Sequence, residues 1–276
     1  MTIVHDLHTH SYCSDGKLSP QALVELAQAN GVTVLALTDH DCIDGIVEAQ
    51  AAASAELRLI AGIEFSSQWK GRGIHIVGLQ VDTDSAVLQA AVAQQTQTRT
   101  QRAETIAQRL EKAGIKGALE GAKQYAKGAA IGRPHFAQYM VDSGYVSNFA
   151  QAFKKYLGSG KMGDVKEGWP EVATVVEWIV ASGGIAVLAH PDKYELTRTK
   201  LYSLLEDFVA AGGRALEVVS GKQDPSVTDK LARAAKDFSL LASCGSDFHS
   251  PGLAWQSLGK YSPMPATCEP VWNHFR

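Results

Sequence analysis

The chain has little of what marks several large classes of protein. Its 276 residues hold four cysteines, Cys13, Cys42, Cys244 and Cys268, and none shows the paired spacing of a zinc ribbon or a redox dithiol. They are expected to pack as small buried side chains. No apolar run approaches the roughly 20 residues that a membrane-spanning helix needs. Met1 leads straight into a strand-like run rather than a charged and apolar leader, so a cytoplasmic protein is expected, with no membrane and no obligate protein partner. The net charge of −3 is too small for a general binder of nucleic acid or membrane surfaces. No internal repeat or low-complexity tract is present. With 45% hydrophobic and 20% charged residues, the composition is that of a globular protein able to bury a large core.

The modest net charge hides an asymmetry. Residues 99–168 carry 12 Lys+Arg against 6 Asp+Glu, whereas the rest of the chain carries 14 against 23. A basic segment beside an acidic body suits an anionic substrate that touches both. Most of these basic side chains are nevertheless expected to form a solvated face.

What the chain does have is histidine and carboxylate at the ends of apolar runs. His8 and His10 close the first run, and side chains two apart on a strand point to the same side. Asp15 follows five residues later. Asp39-His40 closes the second run and Glu64 the third; His75 lies in the fourth, His190 closes a later one, and Asp247-Phe248-His249 closes the last. Imidazoles and carboxylates gathered in this way read as a metal cluster.

The runs predict strands over 3–7, 32–37, 57–63, 74–79, 184–188, 215–219 and 240–242. Helical patterns lie at 20–30, 43–55, 174–182, 202–211 and 226–238. This alternation predicts an α/β fold with a parallel sheet, and seven strands with polar carboxyl ends favour closure into a TIM-like barrel. Between residues 85 and 170 only helical patterns occur, at 86–110, 134–142 and 148–157, with Gly114, Gly117, Gly121 and Gly128 marking loops. The expected organisation is a barrel from 1–84 and 171–276, interrupted by a helical cap over 85–170.

As an ordered set, His8-Thr9-His10, Asp15-Gly16, Thr38-Asp39-His40-Asp41, Gly62-Ile63-Glu64, Ala189-His190-Pro191 and Ser246-Asp247-Phe248-His249 resemble the polymerase-and-histidinol-phosphatase (PHP) superfamily of metal-dependent phosphoesterases. Within the insertion, Gly132-Arg133-Pro134-His135 and Lys155-Tyr156-Leu157-Gly158 resemble its small stand-alone members. The resemblance implies a distorted seven-stranded (β/α)7 barrel holding two or three divalent metals. It implies that His8, His10, Glu64 and Asp247 bind one metal, that Asp15, His40 and His249 bind a second, and that His75 and His190 bind a third with Glu64 bridging. His190 is preferred to His135 for that third metal because it ends a strand. Asp15 stands where some relatives have histidine, and its hard oxygen tilts the expected metal to manganese over iron or zinc.

Clustered cations would neutralise a phosphate ester and supply a nucleophile near neutral pH. His190, His249 and Asp247 are then the catalytic candidates, and Asp39 and Asp41 are expected to orient imidazole N–H groups. Arg133 offers a bidentate fork for phosphate, Pro134 suits a first helical turn, and His135 and Lys161 extend the basic grip. The expected activity is removal of the 3′-phosphate from nucleoside 3′,5′-bisphosphates. The alternatives are a 5′→3′ exonuclease on short RNA or DNA, a histidinol-phosphate phosphatase, a metallo-amidohydrolase and a non-catalytic binding module. Lys222, after the sixth strand, could reach substrate. Trp69, Trp169, Trp178, Trp255 and Trp272 read first as packing, although one near the mouth could stack a nucleobase.

Overall fold

Among the described residues seven strands, neighbours in space in the same order as in sequence, form one sheet: β1 (His5–Asp6), β2 (Val34–Leu37), β3 (Arg58–Trp69), β4 (Arg72–Leu79), β5 (Ile185–Leu188), β6 (Ala215–Ser220) and β7 (Leu241–Gly245). The structure is a computed structural model and describes residues 3–252 and 255–276. Nine α-helices accompany the strands among the described residues: α1 (Pro20–Ala29), α2 (Ile46–Ala52), α3 (Ala86–Lys112), α4 (Ala118–Ala126), α5 (Arg133–Asp142), α6 (Phe149–Ala152), α7 (Val172–Ala181), α8 (Arg198–Ala210) and α9 (Pro225–Asp237). None of the described helices is long and apolar enough to cross a membrane.

The sheet nearly closes into a barrel. Leu7 N–H donates to Cys244 O at 3.1 Å and Asp247 N–H to His8 O at 2.9 Å, which joins the end of β1 to that of β7. Gly245 permits the approach, because a Cβ there would stand 2.7 Å from the His8 backbone nitrogen. The sheet is not uniformly parallel, as the apolar runs suggest. β4 runs antiparallel to both β3 and β5. The reason is the connection: Lys70 and Gly71, at φ 48° and 74°, form a two-residue turn, and a parallel crossover needs a dozen residues or more. This reversal pairs His75, early in β4, with Ser66, late in β3. An early residue of the reversed strand therefore reaches the same rim as the carboxyl ends of the others.

Two compact units emerge, Met1–Val92 with Pro170–Arg276, and Ala93–Trp169. In the first, Ile63, Phe65, Ile76, Leu188 and Leu216 from the sheet pack against Val175, Ile179, Leu204 and Phe208 from α7 and α8. Each such burial contributes about 1.5–3 kcal/mol before the entropy of ordering is counted. Local signals agree with propensity: Ser19 Oγ accepts from Ala22 N–H at 3.0 Å, which caps α1 ahead of Pro20.

The second unit has its own core, built on Ile106, Leu110, Phe136, Met140, Leu157 and Val165. α3 runs without a break. The stretch with glycines at 114, 117, 121 and 128 is more than loop, since it contains α4. Gly121 lies inside that helix because the Tyr139 ring of α5 packs directly on it and leaves no room for a side chain. The pattern over 148–157 resolves into α6 followed by a π-helical turn, Phe153–Leu157.

Candidate metal centre

Five imidazoles surround one carboxylate. Glu64 is fully buried in β3, and its Oε2 lies 3.2 Å from His8 Nε2, 3.3 Å from His10 Nε2 and 3.0 Å from His40 Nδ1. Its Oε1 meets His75 Nδ1 at 3.0 Å and His190 Nε2 at 2.9 Å. The backbone fixes it there: Glu64 N–H donates to Asp39 O at 3.1 Å and Asp41 N–H donates to Glu64 O at 2.9 Å. Two further carboxylates complete the cluster. Asp247 Oδ1 lies 3.4 Å from His10 Nε2 and 3.6 Å from His8 Nε2, and Asp15 Oδ1 lies 3.3 Å from His249 Nε2.

These nine residues fall into overlapping groups whose ligand atoms could each hold one ion: His10, Asp15, His40 and His249; His8, His10 and Asp247; His8, Glu64 and His190; His40, Glu64 and His75. His75 and His190 thus fall in separate groups that share Glu64. The cluster fits divalent metals on its own geometry. His8 Nε2, His10 Nε2, His40 Nδ1 and Glu64 Oε2 are buried and make no hydrogen bond. Such atoms cost about 1–3 kcal/mol each when left unsatisfied, a cost that a shared cation removes. Backbone strain marks the same place, with His190 at φ 27° and Asp247 at φ 53°.

Electrostatics points the same way. Burial alone would raise the Glu64 carboxyl, but His40, His8 and His75 outweigh it and hold it well below the usual range. Asp247, with Lys193 and His8 beside it, and Asp15, with His249 and His40 beside it, are likewise depressed against burial. Burial pulls His10 down, yet Asp247 and Glu64 raise it to about 10, and His8 is raised, against burial, by Glu64 and Glu217. His40 goes the other way, well below normal, because burial prevails. The carboxylates thus draw His8 and His10 towards the protonated form, whereas burial draws His40 and His190 towards the neutral one.

Two residues of this site lie outside the set that the sequence pattern singles out. Glu217, a buried carboxylate in β6, meets His8 Nδ1 with both oxygens at 3.2 Å and accepts from His190 N–H at 2.6 Å. Its signal is present in the sequence, as a lone acid inside the apolar run 215–219. Lys193 donates from Nζ to Asp247 Oδ2. No sequence signal links these two, because the pair depends on the turn after His190. Asp39 does not orient an imidazole: its oxygens accept from Ser11 N–H at 2.7 Å and from the Ser11 and Ser14 hydroxyls at 2.6 Å. Asp41 Oδ1 accepts from Ser66 N–H at 2.7 Å.

The basic candidates lie in the second unit. Arg133 opens α5, where Nη1 donates to Leu157 O at 3.1 Å and lies 3.6 Å from Asp164. His135 Nδ1 accepts from Gly132 N–H at 2.9 Å and so caps the same helix. Lys161 is exposed on the connection after the π-helical turn.

A cluster of this make-up, at one end of a sheet of this order, defines a metal-dependent phosphoesterase fold. The chain belongs to the PHP domain family, whose match spans residues 6–97, and is a hydrolase of phosphoesters. It is 48% identical to the 5′-3′ exoribonuclease of Haemophilus influenzae over the whole of both chains. It is 41% identical to the 3′,5′-nucleoside bisphosphate phosphatase of Chromobacterium violaceum, over 97% of this chain and 95% of that one. A solved Chromobacterium violaceum structure, described as an amidohydrolase with bound sulfate and no metal, superposes with a TM-score of 0.92 at 41% identity. That likeness covers 98% of this chain and 94% of the other.

Proposed function

We propose that this protein removes the 3′-phosphate of nucleoside 3′,5′-bisphosphates, leaving the 5′-nucleotide. The observation that carries the reading is Glu64, one buried carboxylate facing five imidazoles on its two oxygens. A metal-dependent reaction on a small dianionic ester uses such a cluster, and the bisphosphate phosphatase relative supplies the substrate class. His8, His10, Asp15, His40, Glu64, His75, His190, Asp247 and His249 would hold two or three divalent ions, manganese being the proposed metal. When bound, these ions would neutralise the phosphate and supply a nucleophile at neutral pH.

The chain's own residues do the rest. Glu217 fixes the His8 ring through Nδ1, so that Nε2 faces the cluster. Lys193, beside Asp247, adds a cation at the edge where phosphate oxygens would lie. His190 or His249 could supply a proton to the leaving oxygen only where its ring is not committed to a metal, and His249 is the more accessible, 26% exposed against 9%. In this reading Arg133, His135 and Lys161 take the other phosphate, so Arg133 exchanges Asp164 for substrate. The same reading has the protein working in the cytoplasm, which its four free cysteines favour.

A second reading, 5′→3′ trimming of short RNA, is favoured by the exoribonuclease relative at 48% identity. Product analysis separates the two. Adenosine 3′,5′-bisphosphate and a 5′-phosphorylated short RNA are offered at equal concentration to the manganese-loaded protein. Phosphate and 5′-AMP from the first, at the higher kcat/KM, uphold the main reading. Mononucleotides from the RNA with little bisphosphate turnover replace it with the second.

A further inference from the structure

The geometry points to a pocket in the first unit as the seat of the substrate's nucleobase, an inference that rests on the nucleotide reading above. The pocket encloses about 410 Å³ and opens beside the cluster, since His190 and Lys193 line both. That volume lies within the range of small-molecule sites.

Its lining has the two properties that a nucleobase needs. Val227, Leu231 and Trp255, the last 58% exposed, supply its apolar lining. Polar groups are present as well: Ser220 Oγ is buried with no hydrogen-bond partner among the described residues, and Lys222 is exposed at the rim.

Among the described residues, the charges around the pocket leave Lys222 for a ligand. Asp192 faces Lys230 at 3.9 Å, Asp224 accepts from Ser226 N–H at 2.8 Å, and Lys193 is paired with Asp247. Lys222 has no ion-pair partner among the described residues. A base presents a π face to the indole and acceptor atoms at its edge to an ammonium and a hydroxyl.

The rim is also held in place. Lys222 N–H donates to Trp255 O at 2.9 Å, and Gly221 N–H donates to Gly245 O at 2.7 Å. Gly221, at φ 59°, lies so close to Trp255 O that no side chain fits. The stacking residue and the cation are thus tied to each other and to β7, which also ends in the cluster.

The test compares Lys222→Ala and Trp255→Ala on adenosine 3′,5′-bisphosphate and on an abasic ribose 3,5-bisphosphate. Each variant is expected to raise KM about tenfold for the adenosine substrate, the lower range of base stacking on an aromatic side chain. kcat is expected to stay within twofold, and the abasic constants are expected to be unchanged. Equal effects on both substrates, or none on the adenosine one, overturn the assignment. Equilibrium dialysis with 5′-AMP probes the same seat without turnover, so failure of the phosphatase reading stays distinct. Weaker 5′-AMP binding in both variants supports the seat, and unchanged binding overturns it.

Discussion

Glu217 holds His8 from behind, with both carboxylate oxygens 3.2 Å from Nδ1, and so commits Nε2 to face Glu64 and Asp247. The same carboxylate accepts from His190 N–H, so one acid fixes two members of the cluster. Glu217→Gln keeps the volume and loses the charge. It is expected to weaken manganese binding about 10- to 100-fold while the fold persists. Metal titration followed by calorimetry checks this, and wild-type affinity in the variant would count against the role given to Glu217.

Metal binding should expel protons. His8 and His10 are held protonated above their ordinary range by Glu64, Glu217 and Asp247, and an imidazole must be neutral to bind a metal. Affinity should therefore fall as pH drops. Titrations at pH 7.5 in buffers of different ionisation enthalpy are expected to show net proton release. No release would mean that these rings are neutral before metal arrives.

His5 should tie the stability of the fold to pH, since its charged form is the disfavoured one. Its ring stacks on Trp272 at 4.1 Å, and burial lowers its pKa to about 4 from an unfolded value of 6.5. Between those values the unfolded chain binds the extra proton, so stability present above pH 6.5 is lost as pH falls towards 4. His5→Phe retains an aromatic stack and removes the titration. Its Tm is expected to drop less than that of the wild type between pH 7 and pH 5, and parallel curves would refute the assignment.

Gly121→Ala tests the packing inside α4. The added methyl would meet the Tyr139 ring, whose hydroxyl donates to Lys116 O at 2.6 Å. A cost of about 1–3 kcal/mol is expected, the usual range for overpacking. Hydrogen exchange should show the loss in the second unit, with the β-strands unchanged.

Arg133→Ala addresses the proposed phosphate grip. KM for the bisphosphate is expected to rise about tenfold or more, with metal content unchanged, as loss of a charge-assisted bidentate contact implies. An unchanged KM would leave Arg133 as a local partner of Leu157 O and Asp164.

Most of the cluster is legible in the sequence because it obeys simple periodicity. His8 and His10 are two apart at a strand end, as are Asp247 and His249, and Glu64 and His190 end apolar runs or interrupt them. What is not legible depends on contacts far apart in sequence. The apolar run of β4 looks like those of the parallel strands, and its reversal lies in the two-residue turn Lys70-Gly71. Lys193 meets Asp247 across 54 residues, a pairing that no local pattern announces. Glu217 is an intermediate case, since a lone acid in an apolar strand must find a partner. The helix α4 is hidden by Gly121, which reads as a breaker and is there for packing.

The most direct measurement is phosphate release from adenosine 3′,5′-bisphosphate by manganese-loaded wild-type protein and by Glu64→Gln, with metal content determined on both. The account predicts rapid release and 5′-AMP from the wild type. In the variant it predicts release lowered by at least about a thousandfold together with lost metal, since Glu64 faces every imidazole of the cluster but that of His249. Undiminished release from a metal-poor variant would contradict it.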